Sequence, residues 1–191
     1  MSPARSAASV VLLVVALTAC SSDGSDPTPS AESAASSPSA SQFASERHSY
    51  HLEVPAQWDV TEYGGTWDDF AQFSPGAEVP GEDVVSPPDR SAFLVSNSMA
   101  IPEGMSPDEW LAELERRVGS GSRPGCRASS GTDVVGGEPA RVLRERCEDM
   151  HVVGRSLTHA DRGYYFTIGF PAGDSATAAT LEEVVASIGF D

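Results

Sequence analysis

Lysine is missing from this sequence of 191 residues, so its 12 cationic side chains are all arginines, against 28 aspartates and glutamates. The formal net charge is −16. Nucleic-acid binding depends on cations that neutralise phosphates, so this balance argues against a nucleic-acid partner. The same charge repels an anionic bilayer surface, so overall charge is not expected to attract the protein to a membrane.

Motifs of catalysis and of metal binding are also missing. The sequence contains no G-x-S-x-G, H-E-x-x-H or P-loop, and the stretch Gly154-Arg155-Ser156-Leu157 lacks the second glycine of the first. Two of the four histidines, His151 and His159, share one predicted strand, but eight residues along a strand span about 26 Å, too far for one metal ion. The others are His48 and His51. We therefore predict no catalytic, cofactor or metal-binding residue.

Adjacent acidic residues offer a weak alternative for acid and base catalysis. The pairs are Asp68-Asp69, Glu82-Asp83 and Glu148-Asp149. Neighbouring residues of a strand point to opposite faces, so each pair is expected to split rather than to act on one substrate.

The longest apolar run is too short to cross a membrane. It extends from Val10 to Ala19, about 10 residues, whereas a spanning helix needs about 20. With Arg5 before it and Leu17-Thr18-Ala19-Cys20 at its end, residues 1–19 are typical of a lipoprotein signal peptide. We expect Cys20 to carry a lipid anchor, with a diacylglyceryl group on its thiol and palmitate as part of the anchor, and to hold the protein on the extracytoplasmic face of the cell membrane. An ordinary secretory signal with an incidental Cys20 is the alternative.

After the leader, the sequence divides into a tether and one domain. Residues 20–46 are dominated by Ser, Ala, Pro, Asp and Gly, which bury too little apolar surface to offset the cost of ordering, so we expect a disordered tether. Residues 47–191, about 145 in number, match the usual length of a single globular domain.

Cysteine is scarce, and its count is informative. Of three cysteines, lipidation of Cys20 leaves Cys126 and Cys147, an even number in a chain predicted to be exported. We predict a disulfide between them, because a metal or redox pair usually has C-x-x-C spacing.

Alternating apolar and polar residues predict strands along most of the domain. They cover residues 50–54, 58–60, 92–100, 132–135, 140–147, 151–159 and 164–170. Residues 67–73 are expected to form a hairpin with the second strand around Gly64-Gly65. Residues 74–90 read as a long acidic loop that is either functional or a mobile insertion.

The sequence predicts two helices and the residues at which each begins. Ser106-Pro107-Asp108-Glu109 has the pattern of a capping box and precedes an apolar stripe of Trp110, Leu111, Leu114 and Val118. Asp174-Ser175 precedes a second stripe. Together the elements predict an α/β (α+β) domain, with a mainly antiparallel sheet covered by helices.

The order of these elements resembles a known family. Val54-Pro55-Ala56-Gln57-Trp58 ends the first strand, Gly136-Gly137-Glu138-Pro139-Ala140 leads into a long strand, Gly163-Tyr164-Tyr165-Phe166 opens an aromatic strand, and Ser187-Ile188-Gly189-Phe190 ends the last helix. This arrangement resembles the PsbP-like superfamily and, within it, actinobacterial LpqN-type lipoproteins. The resemblance implies an α/β/α sandwich with helices on both faces of the sheet. Members serve as binding and assembly factors, so it implies no enzymatic activity and no particular binding residue.

Two functions follow from the sequence. The first is a lipid-anchored, extracytoplasmic, non-enzymatic module that presents an acidic domain to an envelope protein or a small ligand. It would bind through a groove between sheet and helix, or through residues 74–90. The alternative is a cell-envelope hydrolase with a triad assembled from distant residues, for which Ser156 and His159 are the candidates.

Overall fold

The computed structural model describes residues 40–63, 70, 82–119 and 125–191. Ten strands and two helices lie in these ranges. The strands are β1 Ser41–Ser45, β2 Tyr50–Val54, β3 Asp59–Glu62, β4 Asp83–Ser86, β5 Phe93–Ala100, β6 Arg127–Val135, β7 Glu138–Arg146, β8 Met150–His159, β9 Arg162–Pro171 and β10 Gly189–Phe190. The helices are α1 Pro107–Gly119 and α2 Ser175–Ala186.

The strands form two antiparallel sheets. The large sheet has seven strands in the order β3-β4-β5-β9-β8-β7-β6, and the small sheet has three in the order β1-β2-β10. Alternate residues of β2, β8 and β9 are buried between the small sheet, α2 and one face of the large sheet, where they form the main core. Helix α1 packs on the other face. The expected mainly antiparallel sheet with helices on both faces is therefore confirmed.

Both predicted helix starts are confirmed. Ser106 Oγ accepts a hydrogen bond from the Glu109 backbone N–H at 3.3 Å, and Glu109 Oε2 accepts one from the Ser106 N–H at 2.8 Å, which completes the capping box. Asp174 Oδ1 accepts from the Thr177 N–H at 3.0 Å and caps α2. The apolar stripe of α2 buries Leu181, Val184 and Val185. Ile188, which is also buried, lies just beyond the end of the helix.

The start of the domain differs from the sequence prediction. Ser41–Ser45, inside the predicted tether, forms β1 and pairs along its whole length with β2. Phe43 packs against the main core and contacts the ring of Tyr50 edge to face, with 6.3 Å between ring centroids. This burial and the pairing with β2 offset the ordering cost that the polar neighbours cannot offset. The leader and Cys20 lie outside the described residues.

The prediction for residues 74–90 is wrong at one point. Asp83–Ser86 is a central strand, β4, between β3 and β5, and it takes the position next to β3 that residues 67–73 were expected to fill. Its buried residues are Asp83 and Val85. Because one of the two is an acid, the segment lacks the apolar alternation from which a strand would be predicted. Most of the expected hairpin lies outside the described residues.

Strand β6 is also longer than predicted. It begins at Arg127 and pairs with β7 at nine positions, although most of its side chains are exposed. Because an edge strand with few buried side chains shows little alternation, only its last residues were recognised.

Candidate functional site

Helix α1 is held on the large sheet by Trp110, which is completely buried. Its indole occupies the space above Gly163 of β9, where a Cβ atom would lie 2.5 Å from Cδ2 of the ring. Leu114, one turn further along α1, is also buried. A residue without a side chain on β9 therefore allows a large aromatic residue to fix the helix close to the sheet.

A groove opens beside this contact, between the second half of α1 and strands β6, β7 and β8. Its volume is about 200 Å³. Apolar side chains of the helix and of β7 line it, among them Leu114, Val118 and Leu143. Tyr165 of β9 also lines it and lies over Gly154, where a Cβ atom would meet the tyrosine Cε2 at 2.8 Å. The groove is thus apolar inside.

Polar groups lie at the rim of the groove. Arg141 of β7 forms ion pairs with Glu115 at 3.0 Å and with Asp108 at 3.3 Å, which joins α1 to the sheet. Ser156 contributes a hydroxyl whose acceptor, the Arg141 carbonyl oxygen, lies at 3.5 Å. The rim therefore offers donors and acceptors around an apolar centre, the usual composition of a binding site.

The opposite face of the large sheet carries a buried polar network. Asp83, 1% exposed, accepts hydrogen bonds from Ser45 Oγ at 2.5 Å and from Tyr50 Oη at 3.0 Å. Burial raises the pKa of the Tyr50 phenol far above its ordinary value, and the neighbouring Asp83 carboxylate raises it further. These bonds connect the small sheet to β4, so the network holds the two sheets together.

A serine and a histidine also meet in this region. His48 Nδ1 lies 2.8 Å from Ser98 Oγ, which accepts a further hydrogen bond from Arg162 Nη2 at 2.8 Å. The distance is that of a nucleophile and its base. However, His48 and Ser98 are 0% and 1% exposed, so no substrate reaches the hydroxyl. We assign the pair to packing between the sheets.

The two residues suggested for a hydrolase do not meet. Ser156 and His159 are three positions apart on β8, so their side chains lie on opposite faces of the large sheet. Ser156 lies at the groove under α1, whereas His159 stacks on Phe190 and its Nδ1 lies 2.8 Å from Glu138 Oε1. This pair therefore forms no catalytic dyad.

The remaining sequence-predicted groups are also separated. Within the ranges that the structure describes, no three His, Cys, Asp or Glu side chains are placed to hold one metal ion. His51 pairs with Asp191 at 3.3 Å, and His151 contacts Phe170. Of the acidic pair Glu82-Asp83, Asp83 is buried. Glu82 accepts a hydrogen bond from Asn97 at 3.3 Å, and burial raises its pKa.

The predicted disulfide is present. Cys126 and Cys147 are bonded, with 4.2 Å between their Cα atoms. Cys126 directly precedes the first residue of β6, and Cys147 directly follows the last residue of β7, with which that first residue pairs. No helix in the described part of the chain is long and apolar enough to cross a bilayer.

The protein is similar to known proteins in its fold and not in its sequence. No profile of a known protein family matches the sequence, and curated proteins give no significant sequence match. The solution structure of cyanobacterial PsbP (CyanoP) from Synechocystis superposes with a TM-score of 0.56 at 14% identity, covering 81% of this chain and 94% of that one. A crystal structure from Bacteroides thetaiotaomicron gives 0.52 at 14% identity, covering 78% and 48%.

A third similar structure is LpqN of Mycobacterium tuberculosis, described as involved in cell envelope biogenesis. Its TM-score is 0.49 at 12% identity, with 78% and 90% coverage, too low a similarity to support an argument. The superposition on CyanoP, with the observed sheet order, defines the class of fold: the protein has a PsbP-like α+β fold.

Proposed function

We propose that this protein is a lipid-anchored, non-enzymatic binding module on the extracytoplasmic face of the cell membrane, and that it binds an envelope protein through the groove under α1. The observation that carries the proposal is the apolar groove lined by Leu114, Val118 and Leu143, with Arg141 at its rim. Cys20, directly after the leader of residues 1–19, carries the lipid anchor in this proposal.

The size of the groove favours a protein partner over a small ligand. Pockets for small molecules usually measure about 300 to 1,000 Å³, and this groove measures about 200 Å³. A volume of this size suits an apolar side chain that projects from a partner's surface, with polar contacts formed around it at the rim. The net charge of −16 favours a partner with a basic surface.

The test combines crosslinking with matched variants. A photoreactive amino acid at position 118 should capture a partner in intact cells, whereas the same group at Val84, on the same face of the sheet but outside the groove, should not. The captured protein is then purified and its affinity measured. We expect Leu143→Gln to weaken binding about tenfold and Val84→Gln to leave it unchanged. Equal capture at both positions, or equal affinity of both variants, contradicts the proposal.

The anchor is tested separately. We expect the membrane-extracted protein to carry lipid mass on Cys20, and Cys20→Ser to release the domain from the membrane fraction. An unmodified Cys20 in that spectrum refutes the anchor and leaves the groove to be judged by its own variants.

A further inference from the structure

Three arginines lie together where the large sheet carries the disulfide. Arg127 of β6 is the direct cross-strand partner of Arg146 of β7. Arg144, two positions along β7, lies on the same face because alternate residues of a strand do so. Its Nη1 extends over Gly131 of β6, 3.0 Å from where a Cβ atom of that residue would lie. The next strand continues the row, since His151 of β8 is the cross-strand partner of Arg146. We call Arg127, Arg144 and Arg146 the arginine row.

The row is electrostatically unfavourable as it stands. Like charges directly opposite each other on neighbouring strands destabilise a sheet. Within the described part of the chain, none of the three arginines forms an ion pair, whereas Arg116, Arg141 and Arg155 each do. Glu148 and Asp149, in the turn after Cys147, are exposed and form no ion pair with the row. Arg144 also interacts electrostatically with the Asp133 carboxylate. Arg127 and Arg146 are therefore the two charges of the row that an anion from outside would balance.

The disulfide holds the backbone that carries the arginine row in place. Cys126 and Cys147 lie immediately next to Arg127 and Arg146, and their disulfide fixes the two strands at this end. Arg127 and Arg146 are exposed, and Arg144 is half-buried. Because the strands are held in place, only side-chain freedom is lost when the guanidinium groups close on a ligand, which lowers the cost of binding.

We propose that the arginine row binds a phosphate group. A phosphate presents several acceptor oxygens in a compact group, and guanidinium forks bind such oxygens in pairs. The phosphate comes either from a free anion or from the headgroup of an anionic phospholipid. The row lies on the face of the sheet covered by α2, opposite the groove under α1, so this site does not depend on the proposed protein partner.

The first experiment uses the purified full chain and inorganic phosphate, with chloride adjusted to keep ionic strength constant. We expect phosphate to raise the melting temperature of the wild-type protein and to bind measurably in calorimetry. Arg127→Gln/Arg146→Gln should weaken binding about tenfold or more, whereas Arg116→Gln, which removes an arginine from α1, should leave it unchanged. The double variant should fold, because it removes a repulsion, and circular dichroism checks this.

The second experiment uses the same proteins with vesicles of phosphatidylcholine alone or mixed with phosphatidylglycerol. Binding to inorganic phosphate identifies a free anion as a sufficient ligand. Binding only to vesicles that contain phosphatidylglycerol identifies the lipid headgroup, and here too the double variant should lose it. The proposal is overturned if neither probe binds, or if binding persists in the double variant.

Discussion

The indole of Trp110 occupies the space that a side chain on Gly163 would fill. A Cβ atom there would lie 2.5 Å from Cδ2 of the ring. Trp110 is completely buried, so the indole cannot move towards solvent to avoid this contact. We therefore expect Gly163→Ala to lower the free energy of unfolding by about 1 to 3 kcal/mol, through displacement of α1. Urea denaturation measures the change.

Gly119→Ala is the matched control for this variant. A Cβ atom at Gly119, the last residue of α1, has no neighbour within 4 Å. Its stability should equal or exceed that of the wild-type protein, because alanine favours the helix. If Gly163→Ala is equally stable, the close packing of the indole on β9 is refuted.

A second prediction concerns the buried guanidinium of Arg155, which holds α2 to the large sheet. Its Nε donates to Asp133 at 2.9 Å and its Nη2 to Glu182 at 2.5 Å, while only 3% of the side chain is exposed. Asp133→Asn/Glu182→Gln leaves a buried charge without a counter-ion and should cost about 2 to 3 kcal/mol. This is less than for a fully enclosed pair, because the two carboxylates are partly exposed.

The comparison for Arg155 is an ion pair at the surface. Glu113→Gln removes a carboxylate that pairs with Arg116 on the outside of α1, and in chemical denaturation we expect a smaller loss of stability than for the Arg155 change, because solvent screens a surface ion pair. Equal effects of the two changes would show that burial of Arg155 adds nothing to its ion pairs.

The disulfide gives a third prediction. Cys126 and Cys147 are 21 positions apart, and closing a loop of this length stabilises a protein by about 3 kcal/mol in the chain-entropy model. Cys126→Ser/Cys147→Ser should lower the melting temperature by several degrees, and reductant should have a similar effect on the wild-type protein. Reductant should leave the serine variant unchanged. A wild-type melting temperature that does not respond to reductant would contradict the bond.

The fourth prediction is a dependence on pH. Hydrogen bonds from Arg116, and then from Arg117, lower the pKa of Glu113 from 4.5 to about 2. Because the folded value lies below the unfolded one, the stabilising effect is complete above pH 4.5 and is lost as the pH falls towards 2. The carboxyl carbon of Glu113, followed by NMR, should titrate near pH 2.

Variants separate this shift from a general effect of charge. Arg116→Gln should move the midpoint of Glu113 upward, towards 4.5, because it removes the larger of the two causes. Arg90→Gln removes the same charge from a loop and should leave the midpoint unchanged. A midpoint near 4.5 in the wild-type protein would show that the ion pair does not persist in solution.

Local patterns were enough to predict both helices, the disulfide and most strands. Ser106 and Glu109 form their capping box within four residues, and Asp174 caps α2 in the same way, so no distant contact is needed to recognise them. The buried strands β8 and β9 were found from their apolar residues. The class of fold followed from the order of these elements.

The sites, by contrast, depended on which strands are neighbours. Asp83 reads as one acid of a polar loop, and only the pairing of β4 with β5 places it inside the core. Ser156 and His159 are close in sequence and separated by the sheet, whereas Arg127 and Arg146 are distant in sequence and directly opposite. The groove under α1 likewise combines residues of a helix and four strands. The sequence by itself determined the acidic charge, both helices and most strands, and it leads us to expect an anchor at Cys20. The tertiary structure alone decided which side chains meet, because strand pairing brings together residues whose separation along the chain carries no such information.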